Sequence, residues 1–191
     1  MIPGRTSHDT PARPAQPAGE IHVRTPSLRR LFDPMDASPV AQKDLLPSVS
    51  EFIVSWGREI PAGVPPALVV HVAEPASADD AWLATAGVHA FFESQAALGR
   101  RALRRMFREG RVNLLIALVV FGLAVVGGEA LRSTGSTLGN TVGSMLELGG
   151  WVAMWRPMQT FLYDWWPIRA DIQLFLRLAA MDVRVVCERG P

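Results

Sequence analysis

Glu147 is the only charged side chain in the stretch TVGSMLELGGWVAMW, residues 141–155. A carboxylate among apolar residues is costly to keep ionised, so it either serves a route for ions or protons or is tied to a partner. Arg156 is the nearest cation downstream, but nine positions at about 100° each put it on the opposite side of a helix. Gly135, Gly139 and Gly143 recur every four residues, and Gly150 follows seven later. Wound as a helix, Gly139, Gly143, Glu147 and Gly150 share one face. Small residues at that interval let two apolar helices approach closely, and a polar group among them can bond across the contact. The face has three readings: packing within the chain against Ala124 and Gly128, packing between copies of the chain, or a transport route using Glu147.

The other residue types that do chemistry fall in no working pattern. Lys43 is the only lysine, and no glycine-rich loop with a lysine follows a strand, so a phosphate cradle is not expected. No G-x-S-x-G elbow presents a serine nucleophile. His8, His22, His71 and His89 are 14, 49 and 18 residues apart, too far for a zinc pair on one helix or turn. The single Cys187 has no disulfide partner in the chain and reads as a small apolar residue. His71, inside the apolar run ALVVHV, and His89 read as hydrogen-bonded structural residues. Asp79 and Asp80 read as charges favoured at the start of a helix. The expectation is a protein that is not an enzyme, with no cofactor and no metal.

A basic collar precedes the apolar region. Arg100, Arg101, Arg104, Arg105, Arg108 and Arg111 fall within twelve residues, and Val112 to Gly128 carries no charge. Extended to Leu131, the apolar run is about 30 Å long as a helix, the thickness of a bilayer's hydrocarbon core. The competing reading, the core helix of a soluble protein, rarely calls for apolar residues on every side. Arginines beside a membrane helix are retained in the cytoplasm, which directs a helix over 112–131 from inside to outside. The same arginines attract anionic lipid headgroups. Nucleic acid is not an expected partner, because no reading motif or aromatic platform accompanies the charge.

A second membrane helix is expected over 138–157, after a short external loop at 132–137. Trp155, Tyr163, Trp165 and Trp166 are expected to anchor the chain at the headgroup level as it leaves, with Asp164 and Arg169 in the wet layer. Pro167 suits the first turn of a helix. IRADIQLFLRLAAM then places Ile168, Ile172, Phe175, Leu176 and Ala179 on one face, as a helix lying on the membrane surface or on a soluble domain would.

The part before the collar reads as a small α/β unit over 20–76. Residues 1–19, with four prolines and little apolar content, read as a disordered tail without the apolar core of a signal peptide. EIHVR and ALVVHV read as strands, and VRVV at 183–186 as a candidate third. Ser48 with Glu51, and Ser77 with Asp80, have capping-box spacing. The first pair would open a helix with Phe52, Ile53, Trp56 and Ile60 inward. The second would open one running over 77–111 into the membrane, with Trp82, Leu83, Ala86, Phe91, Leu98 and Leu103 as contacts.

GWVAMWRPMQTFLYDWWPIRAD, preceded by LRRMFREGRVNL, resembles a family of uncharacterised bacterial inner-membrane proteins. LRRLFDPMDASPV, DLLPSVSEFIVSWGREIP and ALVVHV resemble the same family in the same order, so the likeness covers about residues 20–186. It implies the architecture and brings no activity, substrate or catalytic residue. Gly57 stands where the family would carry alanine before the arginine, which is expected to loosen that helix.

The combined expectation is an α/β cytoplasmic domain, a two-helix transmembrane hairpin and a C-terminal interfacial helix in the bacterial inner membrane, multi-pass, with both termini cytoplasmic. The expected role is a membrane-tethered scaffold or accessory protein, meeting the bilayer and either a second copy or another protein. The alternative is an oligomeric channel or transporter subunit using Glu147.

Overall fold

A computed structural model describes residues 19–39 and 43–188; most of the expected N-terminal tail lies outside them. Strand β1 (Glu20–Thr25) leads through a 3-10 turn at Leu28–Leu31 to helix α1 (Pro47–Glu59) and strand β2 (Ala67–Val72). Helix α2 (Ala78–Arg132) leaves the sheet, and α3 (Thr137–Gln159) turns back along it. A π turn (Thr160–Asp164) joins α3 to α4 (Trp165–Ala179), which delivers the chain to β3 (Asp182–Cys187).

The sheet is parallel throughout, in the order β1-β2-β3. Strands added consecutively in one direction, with crossovers of the usual single hand, receive all their connections on one face. Helices α1, α2 and α4 accordingly cover one side only. Ile21, Val23, Leu68, Val70 and Val72 point into that core and meet Ile53, Val88, Phe92, Leu174 and Leu178. The opposite side carries Glu20, His22, Arg24, Val69, His71, Arg184 and Val186, and among the described residues no helix lies over it.

Local signals explain where elements begin. Ser77 accepts a hydrogen bond from the Asp80 backbone N–H at 3.0 Å, as its spacing predicts. Ser48 and Glu51 do not form the expected box. Pro47 already opens α1, with Leu46 before it and no side-chain cap, because proline's fixed φ and missing N–H suit a first turn. Gly57 does not loosen α1: it is buried where α4 crosses, and a methyl there would come within 3.1 Å of Leu178 Cδ2.

The two-helix transmembrane hairpin is corrected by this structure. The described chain is 69% helical around a small parallel sheet, and α2 alone is long and apolar enough to cross a membrane. Helix α3 has the length but dilutes its apolar residues with Asn140, Thr141, Ser144 and Glu147. The C-terminal helix is corrected as well. Helix α4 is a core element, burying Ile172, Leu174 and Leu178, so of the two placements read from its amphipathic pattern it takes the one on the soluble domain.

The inward stripe of α2 also differs from expectation. Ala84, Val88, Phe92 and Ala96 are buried, whereas Trp82 and Leu98 are 68% and 52% exposed. Small residues occupy much of the buried side, and the bulkier Trp82 and Leu98 are left at the margin.

Candidate functional site

Three features of the fold bear on function: the α2–α3 contact, the collar beneath it, and the uncovered face of the sheet. The contact is built from small residues at intervals of seven. Gly110, Ala117 and Ala124 are buried on α2, and Gly143, Gly150 and Pro157 on α3. Seven-residue spacing keeps one seam of a helix against its partner over several turns. Gly143 lies back to back with Gly128: a methyl on Gly143 would sit 2.7 Å from the Gly128 carbonyl oxygen, and one on Gly128 3.0 Å from that of Gly143. Gly150 meets Ala124 and Phe121, and Gly139 meets the Leu131 carbonyl. The glycine face is thus used within the chain, against the Ala124 and Gly128 named from sequence. Gly135 is not part of it. It sits in the turn between the helices at φ 68°, a backbone conformation in which glycine has no steric cost.

Glu147 has a partner after all. Arg132, the last residue of α2, places Nη2 at 2.6 Å from Glu147 Oε2, and its Nη1 lies 3.2 Å from Glu129. The pairing joins the end of one helix to the middle of the seam on the other, so no count along a single helix could find it. The hydroxyls of α3 are also satisfied locally: Thr141 and Ser144 each donate to the carbonyl four residues back.

Outside the seam both helices expose apolar side chains, among them Leu115, Val119 and Leu123 of α2 and Leu148, Trp151 and Trp155 of α3. Only 17% of the most apolar window of α2 is buried against the rest of the chain, which sets it apart from the core helix of a soluble protein.

Below the apolar run the collar arginines are exposed on α2. Arg105 is committed to Glu109 at 2.7 Å, and that hydrogen bond and charge push its already high pKa further up. Arg101, Arg104, Arg105 and Arg108 lie together on one side. Arg100 turns to another side and shares a cleft with α4.

The aromatic cluster near the collar divides in two. Tyr163 and Trp166 are 69% and 68% exposed, as is Trp155 at 68%, and they project outward as interface anchors would. Trp165 instead turns inward, donates from Nε1 to the Phe161 carbonyl at 3.0 Å and lies 5.7 Å beneath the Arg169 guanidinium. The π turn that redirects it follows Pro157, whose missing N–H interrupts the α3 hydrogen-bond ladder.

The uncovered sheet face holds a cluster that the sequence reading missed. His22 and His71 share a hydrogen bond, Nδ1 to Nε2, at 3.0 Å. Glu188 Oε1 comes within 3.0 Å of His71 Nδ1 without completing a hydrogen bond, and Glu20 lies 3.4 Å from His22 Nε2. His71 is therefore half-buried on the open face, not within the core. One signal was available: His22 and His71 fall at outward positions of adjacent strands. Among the described residues no three His, Cys, Asp or Glu side chains are placed to hold a metal. His89 is structural as expected, bonding the Met181 carbonyl at 2.9 Å. Cys187 is exposed at the end of an edge strand, which corrects its reading as a packed apolar residue.

No family model, no curated protein and no solved structure matches this chain. The functional reading therefore stands on these three features.

Proposed function

We propose that this is a membrane-tethered, non-enzymatic interaction protein of the bacterial inner membrane. In this reading the apolar end of α2 is embedded in the bilayer with the arginine collar on the cytoplasmic side. Strands β1 and β3 lie in one sheet, so both ends of the described chain stay with the sheet domain.

The observation that carries the reading is the uncovered face of the parallel sheet. Parallel sheets are ordinarily covered on both faces, because their crossovers and neighbours exclude water from each side. Here Val186 is 42% exposed on the open side, Val69 is already buried among its polar neighbours Glu20, His22, His71 and Arg184, and among the described residues both outer strands have unpaired edges. A protein partner seated there would supply the missing layer. The channel alternative, with Glu147 lining a pathway, is less well supported: Arg132 holds that carboxylate within the α2–α3 contact.

A photo-reactive residue at Arg184 or Val186 tests the reading in native membranes. One discrete protein adduct is expected from both positions and none from Glu51 or Glu59, on the exposed side of α1. Equal labelling from both faces, or no protein adduct at Arg184 and Val186, would contradict it.

A further inference from the structure

A cleft of about 480 Å³ opens between α2 and α4, just below the apolar segment. Helix α2 contributes Arg100, Leu103 and Phe107, and α4 contributes Trp165, Arg169 and Ile172. Ile172 is buried at its floor, and the two arginines are exposed at its rim. Among the described residues no carboxylate lines the cleft and neither arginine is in an ion pair, unlike Arg105. Trp165 is fixed by its bond to Phe161, and its ring holds the Arg169 guanidinium. The result is a pair of unneutralised cations above an apolar, aromatic floor.

Position along α2 completes the description. Phe107 precedes Val112 by five residues, about 8 Å of helix. That puts Phe107 at the depth of the headgroup layer, roughly 5–8 Å on each side of the hydrocarbon core, and Arg100, twelve residues before Val112 and about 18 Å down, below it, so a lipid held by Arg100 is drawn toward the water side of that layer. A free anion would use the arginines and leave the apolar floor in water. A phospholipid would use both.

Resting on the membrane reading above, we infer that this cleft is a binding site for one anionic phospholipid. Arg100 and Arg169 receive its phosphate, and Phe107, Leu103 and Trp165 cover its glycerol and upper acyl segment. The remaining collar arginines face other directions and contribute only general attraction.

The test uses the full chain in nanodiscs of phosphatidylcholine, with or without phosphatidylglycerol, followed by native mass spectrometry of the retained lipid. The wild type is expected to keep phosphatidylglycerol in preference to phosphatidylcholine. The pair Arg100→Gln and Arg169→Gln is expected to weaken that retention by about tenfold or more, at two lost charges near the surface. The pair Arg101→Gln and Arg108→Gln loses the same charge, with Arg108 nearer the apolar run, and is expected to weaken retention distinctly less than the first pair, because neither arginine lines the cleft. Equal losses in the two pairs, or no preference in the wild type, would overturn the site. Displacement of the bound lipid by inorganic phosphate would also overturn it, by making the ligand a free anion. Flotation with phosphatidylcholine vesicles separates the two proposals: if no variant floats, the membrane reading falls with the site; if all float and lipid selectivity is absent, the site alone falls.

Discussion

Gly143→Leu is expected to break the α2–α3 contact while leaving the sheet domain folded. A methyl at Gly143 already meets the Gly128 carbonyl oxygen at 2.7 Å and Arg132 Cγ at 3.4 Å. The first neighbour is backbone, so no rotamer change relieves the clash and the helices must separate. Overpacking costs typically 1–3 kcal/mol, and about 3 kcal/mol is expected here because the obstruction is a helix axis. Separation also pulls Arg132 from Glu147. Gly128→Leu should cost a similar amount, since the approach is reciprocal. Gly149→Leu is the control: nothing lies within 4 Å of a methyl there, and leucine improves helix propensity. Thermal unfolding of the three variants in nanodiscs checks the account. Equal melting of the Gly143→Leu and Gly149→Leu proteins would show that the seam is not close-packed.

Phe92→Ala is expected to do the reverse, unfolding the sheet domain and sparing the helix pair. Phe92 is 0% exposed, stands edge-on to Phe91 with centroids 5.2 Å apart, and stacks on Phe175 at 6.4 Å. Removing a ring of that burial costs about 3–5 kcal/mol. Stabilities of small domains are commonly about 5–15 kcal/mol, so the loss is a large share of the total. Hydrogen exchange of the β2 amides should rise by orders of magnitude, with exchange in α3 unchanged. The two lesions lie far apart, since 36 residues of continuous helix separate Phe92 from Gly128, about 54 Å. Their effects should therefore add. Protection of β2 preserved in the Phe92→Ala protein would mean that α2 does not anchor the sheet.

Much of this layout is legible in the sequence, and the exceptions have physical causes. Short β-branched runs gave β1, β2 and β3, and Ser77 with Asp80 marked the start of α2 within a residue. The glycine face was legible because its spacing is internal to one helix. Its ion pair was not, because Arg132 reaches Glu147 across a turn. The expected second crossing has the length but not the composition: Asn140, Ser144 and Glu147 keep α3 from being apolar enough by itself. Its glycines fit it to a neighbour instead. The buried stripe of α2 is not legible from large apolar residues, because Ala84 and Ala96 are buried while Trp82 and Leu98 are exposed. The open sheet face follows from strand order, which no periodicity within a single strand records.

In the proposed arrangement the apolar end of α2 lies in lipid while its lower half stays in water with the sheet. Single cysteines at Leu98, Val119 and Leu123, in a Cys187→Ser background, address it through labelling by a membrane-impermeant maleimide in sealed inside-out vesicles. All three native side chains are exposed on the folded chain, so burial in the protein does not protect them. The account predicts prompt labelling of the Leu98→Cys protein and none of the Val119→Cys or Leu123→Cys proteins until detergent is added. Labelling of the Val119→Cys protein as fast as the Leu98→Cys protein in intact vesicles would place that helix end in water and contradict the account.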